Sequence, residues 1–124
     1  MSIAVRNLTK LYGDQKAVDS ISFDVKSGEI LGFLGPNGAG KTTTMKIITC
    51  YMPQTSGTVE VDGLSTVERS LDVRKKIGYL PENNPLYHEM NVLEYLEYAA
   101  QLHGMQEKQI SHRIKEMVHV CGLE

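Results

Sequence analysis

Eight consecutive residues, Gly35-Pro36-Asn37-Gly38-Ala39-Gly40-Lys41-Thr42, bring together the residue types that hold a polyphosphate. They match the pattern G-x-x-x-x-G-K-[ST] in full. Glycines at 35, 38 and 40 allow the backbone to curl tightly, so that successive N–H groups face one anion. A helix opening at Lys41 would present its unpaired N–H groups and positive dipole end to the same phosphates. Lys41 adds a mobile ammonium able to reach the β- and γ-phosphates. The Thr42 hydroxyl is an oxygen ligand of the kind Mg²⁺ prefers, and Thr43 offers a hydrogen bond toward the α-phosphate. The bland alternative is a glycine-rich turn carrying an exposed lysine. The flanking residues weigh against it.

Those flanks must supply a strand before the loop and a helix after it. Ile30–Leu34 is a short apolar run without alternation, the pattern of a strand covered on both faces. From Lys41 to about Cys50 the spacing predicts a helix with Met45, Ile48 and Thr49 inward. Upstream, residues 3–8 read as a strand, Gly13-Asp14 as a turn, and Ile21, Phe23 and Val25 as the inner face of a half-buried antiparallel strand. Downstream, Thr58–Val61 alternates into the turn dipeptide Asp62-Gly63, Leu71–Lys76 reads as a short basic helix, and Ile77–Leu80 as another strand. Asn91 and Glu94 form a capping box for a helix over 92–103 that stops at Gly104. A last helix carries Ile110, Ile114, Met117 and Cys121 on one face. The expected fold is α/β: an antiparallel lobe over about 1–28, a parallel phosphate-loop core over about 29–82, and the beginning of a helical subdomain over about 83–124.

Composition narrows the function classes. The 124 residues carry a net charge of −2, which leaves no basic footprint for nucleic acid. No apolar stretch approaches the length of a membrane span, and the first residues, MSIAVRNLTK, lack the order of a secretory signal. Any membrane contact is therefore expected through a partner. Cys50 and Cys121 match no metal or redox spacing and read as reduced thiols. The four histidines lack partners that would complete a ligand set.

The strings NLTKLYG, VDSISFDVKSGEILGFLGPNGAGKTTTMKIITC, TSGTVEVDG and IGYLPE closely resemble the opening of ATP-binding cassette (ABC) subunits, over essentially the whole chain. The stretch KIGYLPENNPLY looks most like bacterial subunits of the gliding-motility and export type. The resemblance implies a P-loop NTPase fold, ATP with Mg²⁺ at residues 35–43, Tyr12 stacked on adenine, and Val18 against the same base. An aromatic face suits a base, although a tyrosine packed at a strand end and a valine in the core are the plain readings of Tyr12 and Val18. The resemblance also places Glu82 where most cassettes have a glutamine that senses Mg²⁺ and the attacking water. Glu82 could offer an oxygen to Mg²⁺ or accept a proton from water, or be an ordinary surface carboxylate. Lys41 and Glu82 are thus the expected catalytic groups, and Thr42 and Glu82 the expected metal ligands. Cys50 stands where relatives often have glycine, so the helix there is expected to close differently.

Family members carry, further along, an Asp and a Glu after an apolar strand, a switch His and an LSGGQ-like signature. None of these occurs in this sequence. The intact family member is expected to be an ATPase that drives an export-type transporter. It would dimerise with a second ATP-binding subunit and lie on the inner face of the membrane through a transmembrane permease. The 124 residues alone are expected to bind nucleotide weakly, to hydrolyse it slowly or not at all, and to self-associate. A non-catalytic nucleotide-binding module, a small-molecule P-loop kinase and a soluble cassette acting on ribosomes or DNA are the competing readings.

Overall fold

A computed structural model describes residues 1–124, which form two compact units, Met1–Tyr79 and Leu80–Glu124. In the first unit, β1 (Ile3–Tyr12) and β2 (Gln15–Val25) form an antiparallel hairpin through a two-residue turn at Gly13-Asp14. The ladder runs well past the alternating residues because three shifts interrupt its register. Asn7 and Ser20 take φ values of 47° and 49°, and the pairing shifts between Val5 and Leu11. A bulge moves side chains to the other face while the strands stay paired. Hydroxyls repair the gaps: Asn7 N–H donates to Ser22 Oγ (2.8 Å) and Ser20 N–H to Thr9 Oγ1 (3.0 Å).

β3 (Ser56–Val61) pairs with the free side of β1, and the two-residue β4 (Leu64–Ser65) follows the turn at Asp62-Gly63. The sheet order is β2-β1-β3-β4, antiparallel throughout. Val5 and Leu8 of β1, Val18 of β2, and Val59 and Val61 of β3 are buried with Ile47 and Ile48 of α1 (Lys41–Ile48) and Val73 of α2 (Ser70–Lys76). The inward face of α1 is Thr44, Ile47 and Ile48, an i, i+3, i+4 set. Met45, expected inward, is exposed. The helix is rotated by its contact with the sheet, which local spacing does not encode.

α1 closes as a Schellman motif, which corrects the expectation of a different ending. Tyr51 N–H donates to Lys46 O (2.7 Å) and Cys50 N–H to Ile47 O (3.1 Å). Cys50 takes the left-handed conformation itself, at φ 63°. Its strain is offset by burial of the side chain and by Arg74, whose Nη2 donates to Cys50 O at 2.7 Å.

The two segments expected as core strands, Ile30–Leu34 and Ile77–Leu80, form no ladder. A strand exists only through its hydrogen-bonded neighbour, and the chain offers these segments none. Alternation nonetheless persists around residues 30–34. Phe33 packs on Phe23 with ring centroids 5.4 Å apart. Leu31 and Phe33 line an apolar cavity of about 220 Å³ with Val25, Met45, Ile48 and Ile77. Ile30 and Leu34 point outward, 97% and 95% exposed.

The second unit holds two helices that pack on each other, α3 (Val92–Leu102) and α4 (Glu107–Val120). Asn91 and Glu94 form both halves of the capping box. Gly104, at φ 71°, ends α3 in a Schellman motif, with Met105 N–H on Ala100 O at 3.0 Å. On α4, Ile110 is buried and Ile114 and Met117 are half-buried, while Cys121 is exposed just past the helix end. No helix of the chain is long and apolar enough to cross a membrane.

Two outward aliphatic side chains beside unpaired backbone favour self-association. The 124-residue chain is expected to sediment as dimers or larger species. The double substitution Ile30→Lys, Leu34→Lys should shift it toward monomer. A monodisperse, cooperatively melting wild-type monomer would contradict this account of residues 30–34.

Candidate nucleotide-binding site

The loop at residues 35–40 is fixed at its far end by a contact with β2. Gly40, at φ 90°, is the residue before α1. A Cβ placed there would lie 2.3 Å from the carbonyl oxygen of Ala17 and 3.2 Å from Val18 Cγ2. Only glycine allows this approach, and the approach sets where α1 begins. Within the loop Ala39 N–H donates to Pro36 O (3.2 Å), a tight turn. The first helical bond of α1 runs from Thr44 N–H to Gly40 O (2.9 Å). Thr44 is almost fully buried and, with Ile47 and Ile48, ties the helix to the sheet.

The N-terminus of α1 is electrostatically open. No side chain caps it and no acidic residue lies in its first turn. The other three helices each carry a carboxylate there, Asp72, Glu94 and Glu107. An anion at the start of α1 would therefore meet a dipole that the protein has left uncompensated. The Lys41 ammonium reaches back over the loop, donating to the carbonyls of Gly35 and Pro36, the latter at 2.8 Å. The donor set is thus loop amides, helix N–H groups, one ammonium and the hydroxyls of Thr42 and Thr43. It fits a magnesium polyphosphate, with the hydroxyl of Thr42, exposed at the helix start, as the natural oxygen for the cation.

A scan against protein families matches residues 18–123 to the family described as ABC transporter. The chain belongs to the ABC transporter family. An uncharacterized ABC transporter ATP-binding protein of Methanocaldococcus jannaschii is 45% identical over 112 residues, which cover 90% of this chain and 38% of that protein. Among solved structures, an ATP-binding subunit of an ABC transporter superposes with a TM-score of 0.87 at 29% identity, over 96% of this chain and 50% of the other. A cassette described as dimeric, in a post-hydrolysis state and bound to ADP and Pi, gives a TM-score of 0.82 at 26% identity, over 98% and 58%. The fold is therefore that of ABC cassettes, the P-loop NTPase fold. The chain spans about two fifths of the length of the curated relative and about half the length of the solved cassettes.

In this ABC chain the remaining predicted site residues are spread out. Tyr12 ends β1 half exposed, at 50%. Its hydroxyl donates to Met52 Sδ (3.2 Å), and the Lys10 ammonium lies 5.6 Å from its ring centroid. Val18 is 4% exposed and belongs to the core, with Cγ2 toward Gly40. Val18 thus supports the loop and, in this structure, presents little surface to a base. Glu82 lies in the second unit, exposed within a bend. Sequence reasoning missed two positions. The Ala17 carbonyl acts through backbone, which leaves no residue-type signal, and Thr44 is a polar residue on an inward face. The alternation of Thr44 with Ile47 and Ile48 on one helical face was the signal available for the second.

Gly38 and Gly40 share positive φ values, 84° and 90°, but only Gly40 meets a neighbour. Gly38→Ala should cost about 1 kcal/mol through backbone strain alone. Gly40→Ala should cost at least about 2 kcal/mol more, since the Ala17 carbonyl must move, and should reduce nucleotide binding as well. Denaturant unfolding of the two variants side by side checks the difference. Equal losses would refute the docking of Gly40 on β2.

Proposed function

We propose that the chain is the phosphate-loop half of an ATP-binding subunit that couples ATP binding and hydrolysis to transport through a membrane permease. The observation that carries this is the uncapped, acid-free N-terminus of α1, with Lys41 folded over the loop that leads into it. Amides of Gly35–Gly40 and the first turn of α1 hold the phosphates, and Lys41 follows the negative charge of the β- and γ-oxygens. Thr42 contributes a ligand to Mg²⁺ and Thr43 a hydrogen bond toward the α-phosphate. Tyr12 offers its ring to the base. In this reading Glu82 takes the part of the family's glutamine, as a carboxylate directed at Mg²⁺ and the attacking water. Residues 83–124 begin a helical subdomain, and a second ATP-binding subunit and a permease complete the assembly at the inner face of the membrane. The family match over 106 of 124 residues (18 through 123) supports the class of subunit.

Calorimetric titration with ATP and Mg²⁺ tests the loop. Lys41→Ala should weaken binding at least about tenfold, since one charge-assisted contact to phosphate is lost. Identical heats before and after the substitution would remove the basis of the reading. Glu82 is tested by Mg²⁺ dependence. Glu82→Gln should shift the Mg²⁺ concentration needed for tight nucleotide binding, because a charged oxygen ligand becomes neutral. An unchanged Mg²⁺ titration would return Glu82 to the surface carboxylates.

A further inference from the structure

The far end of β1 is gripped by the residues that follow α1. Thr55 N–H donates to the Thr9 carbonyl and Leu11 N–H to Thr55 Oγ1, both at 2.9 Å. Side chains two apart on a strand share a face, and the same segment reaches both Lys10 and Tyr12. The Lys10 ammonium donates to the Pro53 carbonyl at 2.8 Å, and the Tyr12 hydroxyl donates to Met52 Sδ at 3.2 Å. Met52 is itself packed against the core. The ammonium also lies over the Tyr12 ring, 5.6 Å from its centroid, within the range at which a π face attracts a cation. The Tyr12 side chain is therefore held at two points, at its hydroxyl and on one face of its ring.

The bond from Lys10 goes to a neutral carbonyl, which steers the ammonium without cancelling its charge. Across the hairpin Lys10 pairs with Val18, whose Cγ2 faces Gly40 where the phosphate loop joins α1. The clamp on Tyr12 and the anchor of the loop are thus built on the same pair of strands. With the ammonium over one face, the ring has one face left for a flat ligand, and the residue stays half exposed. A tyrosine loose at a strand end would sample several rotamers and lose that freedom on stacking. A clamped ring has lost it already in folding, so less is lost on binding.

We propose that Lys10 is a positioning residue for base recognition: its ammonium, braced by Pro53, holds the Tyr12 ring in one orientation with a single face open to the base. The proposal rests on the reading of Tyr12 as the surface that meets adenine. It adds a residue that acts through the ring, with Met52 fixing the hydroxyl end. The consequence is specific. The Lys10 charge strengthens the part of the affinity that comes from the base and not the part that comes from the phosphates. A lysine acting only through its long-range charge would instead favour every polyphosphate, and most of all the one with the highest charge.

The test titrates the 124-residue chain, with Mg²⁺ present, against ATP and against tripolyphosphate, which has the phosphates and no base. The quantity read is the ratio of the two affinities. Lys10→Met keeps the aliphatic stem and removes the charge. It should lower the ratio about two- to fivefold, the change that corresponds to one exposed cation–ring contact, while tripolyphosphate binding changes little. Lys10→Gln should give the same loss, and it decides the matter where Lys10→Met does not fold. Lys10→Arg can again place a cation on the ring and should restore the ratio. In a Tyr12→Ala background, Lys10→Met should leave the ratio unchanged, because no ring remains to be held. An unchanged ratio, an equal loss for both ligands, or a loss that persists without Tyr12 overturns the role of Lys10. The reading of Tyr12 then survives if Tyr12→Ala alone lowers the ratio. If Tyr12→Ala alone leaves the ratio unchanged, that reading fails and the proposal falls with it. Absence of saturable binding by either ligand removes the nucleotide reading itself, and this proposal with it.

Discussion

The first unit depends on one close approach, the backbone of Gly40 against the carbonyl of Ala17. That contact joins the sheet, which supplies rigidity, to the helix, which supplies the electrostatics. From Gly40 onward α1 is anchored by Thr44, Ile47 and Ile48 in the same core as Val5, Leu8, Val18, Val59 and Val61. The helix cannot slide along its axis without driving residue 40 into β2. The amides at its start are thereby held at a fixed place relative to the sheet, as an anion site requires if its geometry is not to be rebuilt on each binding event. Core packing away from the loop therefore helps to hold the candidate anion site in shape.

Electrostatics explains how a chain of net charge −2 can still attract a polyanion. The relevant field is local, because charges beyond about 8–10 Å are screened at physiological salt. Three helices spend a carboxylate on their own N-termini, through Asp72, Glu94 and Glu107, and Glu94 also closes a capping box. α1 does not, and residues 41–44 are Lys-Thr-Thr-Thr. An acidic residue here would stabilise the helix by a few tenths to about 1 kcal/mol, and would compete with the ligand for the same amides. The absence of a cap on α1 is a local stability cost at the point where binding needs open donors.

The parts of the structure legible in sequence were those set by short-range chemistry. The loop, the helix after it, the turn at Gly13-Asp14 and the capping box at Asn91 and Glu94 each depend on a few adjacent residues, and all are present. The Cys50 closure was misread because residue type was taken to decide backbone conformation. There the hydrogen bonds of Tyr51 and Cys50 and the bond from Arg74, 24 residues away, hold a cysteine where glycine is easier. Ile30–Leu34 and Ile77–Leu80 failed for the opposite reason. Their apolar runs state a preference for burial, yet strand structure is a property of a pair, and the apolar pattern carries no information about whether a partner strand exists. The bulges at Asn7 and Ser20 hid part of β1 and β2 because alternation is read by face, and a bulge changes the face.

Lys41 shows how these constraints meet in one side chain. Its ammonium is satisfied by two neutral carbonyls of its own loop, so it pays no penalty for sitting over the anion site. Those bonds orient the long side chain along the path the phosphates would take, which reduces the rotamer entropy lost on binding. A phosphate oxygen carries a full charge, so ion–ion attraction adds to a bond that a neutral carbonyl supports only by its dipole. Exchange of partners is therefore downhill for the ammonium, and it returns the carbonyls of Gly35 and Pro36 to solvent at the loop surface, where water replaces the lost donor. A lysine pinned instead by a carboxylate would face a charged competitor and lose most of that gain. The choice of acceptor, two backbone oxygens and no acid, keeps residue 41 both placed and exchangeable.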